Sequence, residues 1–271
     1  MKNVRYALFV WLTGLSVSAF GGSIFLTGHD PDFHASLGGN SLGAQHLNQQ
    51  ALNFILNPAF NPYVAAGAHK FLFVESTISP PSGHTVGMNG LVASGYVLGT
   101  DFDRVDASGL NAALNGLGTT YGGIVVASDF GGILTQAELN ILNARAGDID
   151  SFLNTGGGLY AMAEGNSGAG LTPGGGWYNF VPIVTSTVNL NESEVGNTVT
   201  AFGSSLGLAN ADVNGNASHT IFLTTGGLSI VDVDSAGNIL SIAGRVTVPE
   251  PTTITLLGMA TALFAIRRRK V

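Results

Sequence analysis

The densest group of side chains able to do chemistry is Gly28-His29-Asp30-Pro31-Asp32-Phe33-His34. Two imidazoles and two carboxylates within six residues offer the nitrogen and oxygen donors that zinc, manganese or iron take. His29, Asp30, Asp32 and His34 are therefore candidate ligands of a divalent metal, or polar contacts for a sugar. The same residues also read as a turn with polar lining, since Asp-Pro starts turns, and spacing identifies no ligand from a distant part of the chain. Asp212-Val213-Asn214-Gly215-Asn216 spaces oxygens like the opening of a calcium loop but lacks the later bidentate carboxylate. Asp101, Asp103 and Asp106 read as an acidic loop. Gly38-Gly39 and Gly174-Gly175-Gly176 are not followed by Gly-Lys-Ser/Thr, which leaves phosphate binding unsupported. The chain has no cysteine, which removes disulfides, thiolate metal sites and a cysteine nucleophile together.

Elements that could position such residues alternate along the chain. Continuous apolar runs at 23–27, 70–74, 123–127 and 158–163 predict strands buried on both faces, and helical spacing predicts helices over 42–56, 86–94, 107–114 and 135–153. The last of these is the best specified. Thr135-Gln136-Ala137-Glu138 has the form of a capping box, Leu134 and Leu139 can staple it, and Gly156-Gly157-Gly158 stops it before the next strand. A strand-helix-strand unit of this kind makes a right-handed parallel crossover. Beyond residue 165 the chain is rich in glycine, with a short helix near 201–206 and apolar runs at 181–184 and 219–223. The runs 228–233 and 239–243 flank Asp234-Ser235-Ala236-Gly237-Asn238 as a hairpin. The expectation is a three-layer α/β fold with a mainly parallel, flavodoxin-like sheet and antiparallel strands at the C-terminal end. An all-β adhesin-like body is the alternative suggested by the glycine content. In the α/β reading the His29 to His34 cluster follows the first strand, at the carboxyl end of the sheet where sites form.

The chain has 271 residues, 10 Lys+Arg against 17 Asp+Glu, and 45% hydrophobic residues. Six of the ten cations stand at the extreme ends, so the body holds only Lys70, Arg104, Arg145 and Arg245 against sixteen carboxylates. Such a surface repels phosphate backbones and excludes nucleic acid as a partner. Lys2 and Arg5, an apolar stretch over 6–17 and Val17-Ser18-Ala19 form a secretory signal over 1–19, cut by signal peptidase after Ala19. At the other end Pro249-Glu250-Pro251 precedes an apolar run over 254–266 and the cluster Arg267-Arg268-Arg269-Lys270. A basic cluster after a short transmembrane segment keeps that end in the cytoplasm and puts the body outside. This layout over 248–271 resembles the PEP-CTERM sorting signal, and the resemblance implies processing near Pro249, Glu250 and Pro251 by an exosortase in cells that make extracellular polysaccharide. The exported body is then 20–247, placed at the cell surface or outside the cell after a transient stage in the cytoplasmic membrane.

Ile124-Val125-Val126 with Asp129-Phe130-Gly131-Gly132, and the strand leading into Ala161-Met162-Ala163-Glu164-Gly165, resemble class I glutamine amidotransferase-like domains and their ThuA-like relatives. The resemblance covers roughly residues 23–222 and implies an amidotransferase-like fold, with Asp129, Glu164 and His219 lining the pocket. Ala163 stands where the family has its nucleophilic cysteine and cannot attack a carbonyl. His219 lies where the family places its base and has no nucleophile to deprotonate. The sequence thus points to an exported surface or matrix protein with a non-catalytic domain that contacts carbohydrate or protein. The alternative is a metal-assisted or serine hydrolase acting on glycans or amides.

Overall fold

The computed structural model describes residues 21–80, 83–129, 131–165, 171–190 and 194–246. The signal segment 1–19 and the sorting segment 248–271, with its expected membrane run, lie outside them. Among the described residues no helix is long and apolar enough to cross a membrane.

Strand β1 (Ser23–Thr27) leads through α1 (Pro31–His34), α2 (Ser41–Ile55) and α3 (Pro62–Ala65) to β2 (Lys70–Val74). Then come α4 (Met88–Ala93), β3 (Phe102–Val105), α5 (Ala107–Ala113), β4 (Tyr121–Val126), α6 (Gln136–Ala144), α7 (Ala146–Asn154) and β5 (Gly158–Ala161). The remainder is β6 (Ser186–Asn189), β7 (Thr198–Val199), α8 (Ala201–Ser205), β8 (Thr220–Thr224), β9 (Ser229–Val233) and β10 (Ile239–Arg245). All ten strands join one sheet in the order β3-β2-β4-β5-β1-β10-β8-β6, with β9 on β10 and β7 on β9. The first five are parallel to one another and the C-terminal pairs are antiparallel. The α/β expectation therefore holds, and the helical layers exclude the all-β alternative. The parallel order 3-2-4-5-1 is the flavodoxin-like order shifted cyclically by one strand, with β1 in the place of the fifth.

Period-2 alternation sorts the parallel strands onto two cores. Ile24, Leu26, Leu72, Val74, Ile124, Val126 and Leu159 pack with residues of α5, α6 and α7. Phe25, Phe71, Phe73, Val125 and Tyr160 pack with Leu47, Ala51, Leu52 and Ile55 of α2 and Leu91 of α4. Connections after β1 and β2 thus cover one face and those after β3 and β4 the other. Diverging connections open crevices at the carboxyl ends of the strands.

Two elements differ from the sequence reading. The stretch read as an acidic loop contains β3, an edge strand in which Phe102 is buried while Asp103 reaches out to Lys70 at 3.1 Å. One apolar position in a four-residue strand leaves little period-2 signal. The helix expected over 135–153 is two helices, because the Arg145 N–H closes α6 on Ile141 O while the Arg145 carbonyl accepts from Asp148 and Ile149. The Arg145 guanidinium is drawn aside to Asn111 O and Asn115 Oδ1 at 3.0 and 2.9 Å.

Asn48, buried within α2, links three segments. Its Nδ2 donates to Pro31 O (3.0 Å) and Ser94 Oγ (3.1 Å), and its Oδ1 accepts the Tyr160 hydroxyl (3.0 Å). Asn48→Ala leaves the buried Tyr160 hydroxyl without its acceptor, while Pro31 O keeps Ala35 N and Ser94 Oγ keeps Gly90 O, and is expected to destabilise the protein by about 2 kcal/mol. Urea unfolding checks this, and a wild-type midpoint would contradict it.

Candidate functional site

The loops after β1, β4 and β5 are tied to one another at the carboxyl edge by backbone bonds. Ala163 N donates to His29 O and Asp129 N donates to Ala163 O, each at 3.2 Å. The sheet's antiparallel part reaches the same edge through Gly28, whose carbonyl accepts from His219 N at 2.7 Å and Thr220 N at 3.3 Å. A Cβ on Gly28 would lie 1.8 Å from Thr220 O, so only glycine admits this crossing. Residues 189 positions apart in sequence become neighbours here, with His29 bridged to Ser218.

Within the predicted cluster the four candidate ligands have different fates. His29 is committed on both ring nitrogens, Nε2 to Asp232 Oδ2 at 2.8 Å and Nδ1 to Ser218 Oγ at 2.9 Å. Asp32 is also committed, accepting from Ser128 N (2.9 Å), Ser128 Oγ (2.8 Å) and Phe33 N (3.0 Å). Asp30 sits at the N-cap of α1 yet makes no capping bond. Its fully buried carboxylate instead faces two imidazoles, His34 Nε2 at 3.3 Å and His219 Nε2 at 3.4 Å. One donor atom from each of Asp30, His34 and His219 lies within 4.8 Å of the others. These three residues could hold a metal, and the distant member is the histidine that the sequence placed in the pocket. A small pocket lined by His29, Asp30, His34, Asp212 and Asn216 adjoins them.

The other pocket candidates, Asp129 and Glu164, are wholly buried on the loops after β4 and β5. Burial, reinforced by the Asp129 charge, pushes the Glu164 carboxyl well above the usual carboxylate range. Tyr178 clamps this turn, accepting from Glu164 N at 3.1 Å and donating to Met162 O at 3.2 Å. Ala163 is buried between them, with no side-chain atom that could act as a nucleophile. Gly203-Ser204-Ser205-Leu206-Gly207 has the spacing of a serine elbow but lies on α8, where the Ser205 hydroxyl donates to Phe202 O at 2.6 Å. The strand-turn-helix setting that such an elbow needs is missing there. In the calcium-like stretches the oxygens serve local structure. Asp106 caps α5 through Ser108 N (2.9 Å), and Asp212 pairs with His46 Nδ1 (2.9 Å).

Sequence reasoning missed Glu75 and Asp232. Glu75 directly follows the apolar run of β2, at the carboxyl end of a central strand, which was the available signal. It accepts from Gly87 N and from Met88 N (3.3 Å), and Arg104 Nε lies 2.7 Å away. Asp232 lies inside an apolar strand, Val231-Asp232-Val233, and was masked by its neighbours. Burial pushes the Asp32 carboxyl up to about 7, helped by the Asp30 charge and opposed by the Ser128 bonds. Burial likewise pushes Glu75 up to about 8 in spite of the Arg104 guanidinium, with Asp32 adding to the rise.

Both carboxyls hold a proton in the folded chain that the unfolded chain releases at lower pH. Their contribution to stability is therefore full below about pH 4 and is lost as pH rises through 7 to 8. Unfolding free energy, measured with a chelator present, is expected to fall by several kcal/mol, on the order of 5, between pH 5 and pH 8.5. Glu75→Gln should flatten that fall, and an equally steep one in the variant would remove Glu75 as its source.

Comparison with known proteins places one segment of the chain. Residues 247–270 match the family model of the PEP-CTERM protein-sorting motif. No curated protein and no solved structure matches the chain. The motif marks an exported, exosortase-targeted protein with a cell-surface or extracellular destination.

Proposed function

We propose that this chain is a surface or extracellular-matrix protein whose α/β body is a binding module built on an amidotransferase-like scaffold that has no nucleophile. The reading is carried by Ala163, buried at the position where that scaffold would place its cysteine, in a chain that bears a sorting motif at 247–270. A body with four cations against sixteen carboxylates stays soluble and apart from anionic polymers unless a specific site binds them. The partner is a carbohydrate or protein of the extracellular polymer layer, engaged through the loops at the carboxyl edge. Before processing, the segment over 254–266 holds the chain in the cytoplasmic membrane with the body outside. A second reading, a metal-assisted hydrolase acting on glycans or amides, is favoured by the meeting of Asp30, His34 and His219.

Epitope tags on either side of Pro249-Glu250-Pro251 test, in the producing cell, the export on which the reading rests. The upstream tag is expected at the surface or in the medium without the downstream one, and loss of the exosortase should leave both on one membrane-bound chain. Full-length, doubly tagged protein in the soluble cytosol would contradict it.

A further inference from the structure

We infer that Asp30, His34 and His219 form a site for one divalent transition-metal ion of the zinc class, with a coordination position left for solvent or substrate. This goes beyond the surface-protein reading and does not depend on it.

Three observations converge. Histidine–carboxylate pairs elsewhere in the chain close to hydrogen-bond distance, His29–Asp232 at 2.8 Å and His46–Asp212 at 2.9 Å. The two pairs on Asp30 stand apart at 3.3 and 3.4 Å, and neither Asp30 oxygen receives a hydrogen bond. With metal–donor distances near 2.0–2.1 Å, the edge of a tetrahedral site is about 3.3–3.4 Å; Asp30 presents Oδ1 to His34 and Oδ2 to His219 at that spacing, and one donor atom from each of the three residues lies within 4.8 Å of the others.

The charge around Asp30 supplies the second argument. A buried carboxylate needs a partner charge or donors, because desolvation is costly. Each Lys and Arg among the described residues is placed elsewhere. Lys70 pairs with Asp103, Arg104 with Glu75 and Arg145 with Asp148, while Arg245 lies over the Phe60 ring. None of these cations is left for Asp30, and a divalent ion supplies the charge it lacks.

Support for the ligands is the third. His219 is fixed by its own N–H on Gly28 O, and the adjoining Ser218 is held by His29, itself anchored on Asp232. Asp30 is packed by Gly131, where a Cβ would come within 2.7 Å of Oδ2. The His34 side chain, 13% exposed, keeps an approach for the ion. Two nitrogens and one oxygen suit zinc, cobalt or iron better than calcium or magnesium, which prefer all-oxygen sites.

The test uses the full-length protein, stripped with a chelator and titrated with Zn²⁺, with Co²⁺ as a spectroscopic probe. One equivalent should bind, Co²⁺ should give visible d–d bands that Zn²⁺ removes, and Mg²⁺ should not compete. Asp30→Asn and His34→Ala are each expected to weaken binding by roughly 100-fold or more. His69→Ala, at an exposed position, should bind as wild type does. Circular dichroism of the stripped variants establishes that they are folded, and the wild-type Co²⁺ spectrum stands whether or not a variant folds. Absence of stoichiometric binding in the wild type, or undiminished binding in folded Asp30→Asn and His34→Ala, would overturn the assignment. Neither result bears on the tag experiment, which tests export alone.

Discussion

The antiparallel pairing of the first strand with the last is the contact on which the rest of the molecule depends. Ser23 to Thr27 of β1 run against Arg245 to Ser241 of β10, while the other edge of β1 pairs in parallel with β5. β1 is buried over all five residues and joins the parallel half of the sheet to the antiparallel half. Because β10 also contacts β8 and β9, the pairing fixes where the second half of the chain can return. Gly28, at the end of β1, then lets β8 pass close enough to bring His219 to Asp30. The Thr27–Ser241 hydroxyl contact at 2.8 Å lies in the same register, just short of the site.

From that constraint follows a concentration of buried carboxyl groups. The loops after β1, β2, β4 and β5 each contribute a carboxylate, Asp30 and Asp32, Glu75, Asp129 and Glu164, all inaccessible to solvent. Protonation, hydrogen bonds and Arg104 meet the need of some of these groups. Asp30 faces two imidazoles at 3.3 and 3.4 Å, and neither of its oxygens receives a hydrogen bond. An edge organised in this way costs stability, and such costs are characteristic of sites that bind something. Ala163 contributes its backbone to the turn, bonding His29 O and Asp129 N.

Much of this was legible in the sequence. The runs at 23–27 and 70–74 became strands with those bounds, because a strand buried on both faces is a continuous apolar run between polar punctuation. The helix over 42–56 was shifted by only one residue, since its 3.6-residue stripe is long. β3 escaped because an edge strand half in solvent carries little pattern, and the break at Arg145 escaped because Leu139, Leu142, Ile149 and Phe152 keep a helical spacing across it. In the site, local sequence identified Asp30 and His34. The reassignment of His29 to Asp232 and the arrival of His219 are tertiary facts, set by a glycine crossing that spacing does not encode. The sorting motif was readable in full because its meaning lies in linear order rather than in folding.

A crystal structure of the protein grown with zinc, with diffraction recorded above and below the zinc absorption edge, tests the central claim most directly. The account predicts one strong anomalous peak within bonding distance of Asp30, His34 Nε2 and His219 Nε2. A peak elsewhere, or none with both histidines closed onto Asp30 at ordinary hydrogen-bond distance, would contradict it.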